Sequence, residues 1–144
     1  MRRSAAIAVL ALLAFGCRHQ ASNDFSHVVR VDRSVESGGD TITIQQVRGP
    51  SDRWIAGGTY EVTGTYQLTS REKALLGAFV TAPPPNSGVA SGDQLKQVAK
   101  GHGQYTLRFR LPQTLGGCPI GTACGPHLGL YPLPGGQAFV SAYI

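Results

Sequence analysis

Cysteine, histidine and the carboxylates are the residues of this chain that can do chemistry beyond packing, and their spacing limits which chemistry is open to them. Cys118 and Cys124 are separated by five residues in Gly117-Cys118-Pro119-Ile120-Gly121-Thr122-Ala123-Cys124-Gly125. A redox dithiol normally has two intervening residues, whereas in an exported protein a pair at this spacing reads as a disulfide that pins a glycine-rich loop. Closing so short a loop stabilises by about 2 kcal/mol at most in the chain-entropy picture. His127 follows Cys124 by three positions, and His102 would approach the same loop if the last strands pair, so a metal or redox site built from Cys118, Cys124, His102 and His127 is the alternative. No HxH or HxxxH spacing accompanies them, which favours solvated loop histidines.

Hydrolytic chemistry needs a nucleophile beside a base, or paired carboxylates in a defined setting. The eight acids are dispersed and there is no Gly-x-Ser-x-Gly elbow. Gly101-His102-Gly103-Gln104 lacks the third glycine of a phosphate-binding fingerprint. The expectation is a non-enzymatic domain with no catalytic residues and no cofactor; an enzyme whose dispersed residues meet only in the fold is the reading left behind it.

The third cysteine belongs to a different setting. Met1 to Ser4 is a short basic start with Arg2 and Arg3, and Ala5 to Cys17 is an uncharged run of thirteen residues rich in Ala and Leu. That outline is an export signal; the run is shorter than the roughly 20 apolar residues a membrane-spanning helix needs. Leu13-Ala14-Phe15-Gly16-Cys17 resembles the lipobox of bacterial lipoproteins, with the small Gly16 before the cut and Ala14 where Leu is commonest. The resemblance implies that residues 1–16 are removed, that Cys17 carries lipid, and that the protein is exported and anchored to a membrane. Arg18 in place of Asp after the lipidated residue resembles the pattern of lipoproteins sent to the outer membrane, which the resemblance implies if the cell has two membranes. Two or more acyl chains hold stably where one binds marginally. Met1 is the only methionine and leaves with the signal, which excludes a thioether copper site from the mature domain.

The formal charge of +5 falls to +3 once Arg2 and Arg3 are removed, and the remaining cations are interspersed with acids. No concentrated stripe tracks a phosphate backbone, so a nucleic-acid partner is not expected.

The elements that must position these residues follow from the mature chain, in which residues 17–24 read as the lipidated cysteine and a polar tether and residues 25–144 as one β domain. Period-two alternation, broken by turn residues every ten or so positions, predicts strands over His27–Arg33, Thr41–Val47, Trp54–Leu68, Gly103–Leu111, His127–Tyr131 and Gln137–Ile144; the mostly apolar run Ala74–Thr81 reads as a strand buried on both faces or a short helix, and its eight residues favour the strand. Ser37-Gly38-Gly39-Asp40 reads as a hairpin turn, Ser70-Arg71-Glu72-Lys73 as a second turn, and the stretch from Pro83-Pro84-Pro85-Asn86 to about Lys100 as a long loop. Gly64 inside a strand marks a bulge or the close approach of another backbone. Seven strands without a helical period predict an all-β antiparallel sandwich, immunoglobulin-like in outline, with a small barrel as the alternative.

Tyr60, Tyr66, Tyr105, Phe109 and Tyr131 read as inner-face core rather than as a carbohydrate platform. Trp54, next to Arg53 at a loop-to-strand junction, either plugs one end of the fold or is exposed for binding.

The function expected from these observations is a lipid-anchored accessory domain of the cell envelope, held to the membrane through Cys17 and binding an envelope protein or polymer. Intact-mass measurement of the membrane fraction is expected to show a lipid increment on the mature chain, and Cys17→Ser to abolish it. A mature chain of unmodified mass would remove the anchor.

Overall fold

Two glycines begin the fold. Gly38 and Gly39 hold φ of 60° and 84°, the conformation a two-residue hairpin loop requires and glycine adopts at least cost. They join β1 (His27–Ser37) to β2 (Asp40–Gly49) with Ser37 opposite Asp40. In the computed structural model, which describes residues 25–81, 94–113 and 125–144, the next element is a single strand, β3 (Thr59–Thr81), followed by β4 (Leu95–Arg110), β5 (Gly125–Tyr131) and β6 (Val140–Tyr143). The signal, Cys17, the tether, the three prolines and the Cys118–Cys124 loop lie outside the described residues.

All pairings are antiparallel, as the alternation predicts. The layers are the two halves of one hydrogen-bonded sheet. The first half of β3 lies between β2 and β4, and its second half lies between β4 and β5, with β6 beyond. Ser70–Lys73 is therefore a corner within a strand rather than a turn between strands. At this corner the β3–β4 register jumps from Leu68↔Gly101 to Lys73↔Ala99, so residues 69–72 stand opposite Lys100 alone. An unequal residue count bends a strand, and strands that change layer make the corners of folded sheets. The stretch Leu95–Lys100, expected as loop, is the part of β4 that pairs beyond the corner. Its alternation is hard to read because Val98 is the one buried apolar side chain between exposed Lys96, Gln97, Ala99 and Lys100.

Bending at the corner brings the inner faces together. Ile42, Ile44, Val47, Tyr60, Val62 and Leu107 from the first half share one core with Leu76, Ala78, Leu128, Leu130, Val140 and Ala142 from the second. The ends of the curl, β1 and β6, approach each other without pairing, so the sheet stops short of a closed barrel. Gly64 permits the tight fit on the first half: a Cβ there would stand 2.0 Å from the Thr43 carbonyl oxygen and 2.6 Å from the Tyr105 hydroxyl. The Tyr105 hydroxyl donates to that same carbonyl at 3.0 Å.

The corner is clamped by Asp40, which is only 1% exposed. One carboxylate oxygen accepts from the Thr69 backbone N–H at 2.6 Å, the Ser70 N–H at 3.0 Å and the Thr69 hydroxyl at 3.1 Å; the other accepts from the Ser70 hydroxyl. Burial opposes ionisation of this carboxyl, but the hydrogen bonds from Ser70 and Thr69 outweigh it and hold the carboxyl below its ordinary range. The clamp supplies partners for backbone N–H groups that the irregular register takes out of the β3–β4 ladder.

Asp40→Ala is expected to lower unfolding free energy by about 2–4 kcal/mol at pH 7, since each charge-assisted bond contributes about 1.5–3 kcal/mol. Because folding depresses this carboxyl's pKa, its contribution is complete above the unfolded value of about 3.9 and is lost as pH falls through the lower folded value. Urea unfolding of the protein and of Asp40→Asn should therefore show a gap at pH 7 that narrows as pH drops below about 4; a gap independent of pH would remove the ionised clamp.

Candidate functional site

On the second half of the sheet the inward positions are Ala74, Leu76, Ala78 and Val80 on β3 and Pro126, Leu128 and Leu130 on β5. The pleat sends their neighbours to the opposite face. There Phe79 on β3, His127 on β5 and Tyr143 on β6 stand directly opposite one another in a row across three strands. Ring centroids lie 6.0 Å apart for Phe79 and His127 and 5.4 Å apart for His127 and Tyr143. Tyr131 completes the group, with its ring T-shaped to Phe79 at 5.2 Å.

Glycine makes room for these rings. Gly77 and Gly129 are cross-strand partners on the same face. A Cβ on Gly77 would meet the Phe79 ring at 2.4 Å, and one on Gly129 the Tyr131 ring at 2.7 Å. Each ring therefore lies over the bare backbone of the glycine two positions before it, which recovers packing that glycine alone leaves unmade. The product is an aromatic platform on a flat glycine floor.

Its polar groups are neutral ones. Thr81 Oγ1 lies 3.2 Å from His127 Nδ1, and the Tyr131 hydroxyl lies 3.5 Å from His127 Nε2. Burial lowers the His127 pKa, and a hydrogen bond with the Gly125 backbone only partly offsets it, so the imidazole is uncharged at neutral pH. Burial, with the Tyr143 phenol nearby, pushes the Tyr131 hydroxyl up. Tyr143 is 38% exposed, and the other three rings are half-buried. The arrangement offers ring faces and edges together with hydroxyl and imidazole hydrogen-bonding groups.

The structure does not bring the two candidate histidines together. His102 is exposed on β4 opposite Gln67, on the outer face of the first half, while His127 is opposite Phe79 beyond the corner. Cys118 and Cys124 lie outside the described residues. Among the described residues, no three His, Cys, Asp or Glu side chains gather as a metal-binding group.

Tyr60, Tyr105 and Phe109 are core residues as read from the sequence, and Tyr66 packs against that core. Tyr131 is the exception. Its own strand carries Leu128 and Leu130 inward, and alternation then sends Tyr131 outward with His127. The signal that finds the platform is local: Gly77-Ala78-Phe79 and Gly129-Leu130-Tyr131 each place a glycine two positions before an aromatic on one strand face. Trp54 takes the plugging role. Its ring is edge-on to Tyr60 at 4.6 Å and near Phe109 at 6.1 Å. The Tyr60 hydroxyl ties that loop down, donating to Arg53 O at 2.9 Å and accepting from Ile55 N at 2.8 Å.

Comparison with protein-family models, curated proteins and solved structures finds no match to the chain.

The His127 imidazole is expected to titrate below its ordinary value of about 6.5, and Phe79→Ala, which uncovers the ring, to move the midpoint back up. NMR titration of the His127 ring protons checks this; an unshifted midpoint in the unmutated protein would mean that the platform does not desolvate the imidazole.

Proposed function

We propose that the chain is a non-enzymatic, lipid-anchored binding domain of the bacterial cell envelope. It is exported, cleaved before Cys17 and held by lipid on that residue, and its aromatic platform takes a neutral, hydroxyl-rich polymer of the envelope. The observation that carries the binding part is the uncharged row Phe79–His127–Tyr143 on the Gly77–Gly129 floor. Sugar rings present CH-lined faces that stack on aromatic rings and hydroxyls that exchange hydrogen bonds with imidazole and phenol groups. Neutral groups suit an uncharged polymer because no unpaired charge is desolvated when it binds. The rings lie low over the glycines they cover, so the row presents an open, shallow surface that admits an extended chain, where a deep pocket would admit only its end. The lipobox resemblance supports the location, since an anchor before residue 25 keeps the domain where such polymers are found.

Co-sedimentation of the mature protein with insoluble uncharged polysaccharide, in enough salt to screen the basic chain, tests the reading. Binding is expected, and Tyr143→Ala is expected to weaken it about tenfold, the loss of roughly 1.4 kcal/mol of aromatic contact. Tyr143 is the most exposed ring of the row, so far-UV circular dichroism of the variant should match that of the unmutated protein. A protein that stays in the supernatant, or a Tyr143→Ala variant that sediments as well as the original, would overturn the platform. Capture of a protein instead, insensitive to added polysaccharide, would do the same.

A further inference from the structure

The other outer face of the sheet has different chemistry. Val28, Arg48, Glu61 and Arg108 stand opposite one another in a row across β1, β2, β3 and β4, with Arg110 opposite Thr59 in an adjacent outward row. Arg108 pairs with Glu61 through two nitrogens at 2.9 and 3.0 Å. Three arginines thus share these rows with one carboxylate. Val28 is 42% exposed among them, a large apolar side chain at the margin of a cationic strip.

The described chain begins on this face. The Phe25 ring has the Arg108 guanidinium 5.1 Å from its centroid, a cation–π contact that fixes where the preceding segment joins the domain. From Cys17 to Phe25 is eight residue steps, at most about 28 Å fully extended.

We propose that the Arg48–Arg108–Arg110 face docks on the anionic phospholipid headgroups of the membrane that holds Cys17, turning the aromatic platform away from the bilayer. The inference rests on the anchored reading for its geometry. Two observations select a lipid surface as the occupant: the charge of the face, and the short segment that ends on it. Arg108 gives two nitrogens to Glu61 and Arg110 gives Nε to Gly57 O at 3.0 Å, so phosphate oxygens would meet the remaining guanidinium N–H groups, and basic side chains near an anionic leaflet each add affinity. Val28 can enter the headgroup layer beside them. The inner faces of the two halves meet in one core, so each half turns a separate outer face away from it. Seating one on lipid presents the other to the envelope space.

The experiment uses the protein as made in a bacterial host, with intact mass first establishing whether Cys17 is acylated. Acylated protein is reconstituted into phosphatidylcholine vesicles, with or without phosphatidylglycerol, carrying a headgroup nitroxide. Trp54, the only tryptophan, packs on the core side of this end of the sheet, so the reporter is Val28→Trp in a Trp54→Phe background, which puts the fluorophore on the face itself and reports contact by quenching. Quenching is expected to be about twofold or more greater on the anionic vesicles, and high salt should remove the difference. Arg48→Glu should reduce the difference and Arg48→Glu/Arg110→Glu abolish it, while Lys73→Glu/Lys96→Glu, an equal change of net charge elsewhere, leaves it. If the mass shows no lipid, the secreted chain is floated with the same vesicles. Binding to anionic vesicles alone, weakened about thirtyfold per reversed arginine because each reversal changes the charge by two units, then supports the face even though the anchor has failed. Quenching or flotation that is equal on neutral and anionic vesicles, or equally lost in the lysine control, would overturn the docking face and leave the polymer platform standing on its own test.

Discussion

The Asp40 carboxylate is the point on which the architecture turns. β3 runs for 23 residues, more than one sheet layer of this size can use, and it must bend to bring its two apolar stretches against each other. Bending requires four residues of β3 to pass one residue of β4, which costs ladder hydrogen bonds in a part of the chain close to the core. A nearly buried carboxylate accepting from two backbone N–H groups and two hydroxyls at that place satisfies the donors and fixes the direction of the bend. The hairpin glycines deliver Asp40 there, since the tight Gly38–Gly39 loop makes it the first residue of β2. Nearby, Arg71 lies over the Phe139 ring at 4.3 Å and so links the corner to the approach to β6. The Lys100–Glu72 pair at 2.9 Å is solvent-exposed on both sides and adds little.

Folding one sheet in half separates two surfaces that would otherwise be continuous. The aromatic and glycine positions lie outward beyond the corner, and the arginine rows lie outward before it. Strand pairing gives each surface its order: cross-strand partners lie in rows about 5 Å apart, so side chains distant in sequence become neighbours in a regular array. The rings have a structural role whatever they bind, because they cover glycine backbone that would otherwise be exposed. The proposed polymer contact uses what remains of their exposed surface, greatest at Tyr143. A neutral platform and a basic face on separate outer surfaces suit the proposed placement between a lipid surface and a polymer.

Much of this was legible in the chain itself. Alternation along Thr59–Leu68 and Gly103–Arg110 specifies half-buried strands, because a residue facing the core every second position can be satisfied only by an extended backbone. The Gly-Gly loop specifies its hairpin because glycine takes the left-handed φ at least cost, and Gly64 its close approach because a Cβ there would meet the neighbouring strand. The corner was not legible: Ser70-Arg71-Glu72-Lys73 has the composition of a turn, and what keeps it inside a strand is a carboxylate 29 and 30 positions away. The platform was missed for a related reason. Aromatics in alternating strands usually face the core, and the outward placement of Tyr131 follows only when Leu128 and Leu130 are fixed inward.

The sequence by itself determined the elements that local rules govern: an all-β chain, the tight hairpin, the core tyrosines, and the resemblance at Cys17 from which the proposed export and anchoring come. Tertiary structure alone decided that seven expected segments are six strands among the described residues, that two layers are one folded sheet, and that His102 and His127 stand on different faces. The physical reason is range. Periodicity, turns and glycine conformations act within a few residues and leave their mark there, whereas a bend, a cross-strand row and the side on which a face ends up depend on partners brought together by burial of the whole core.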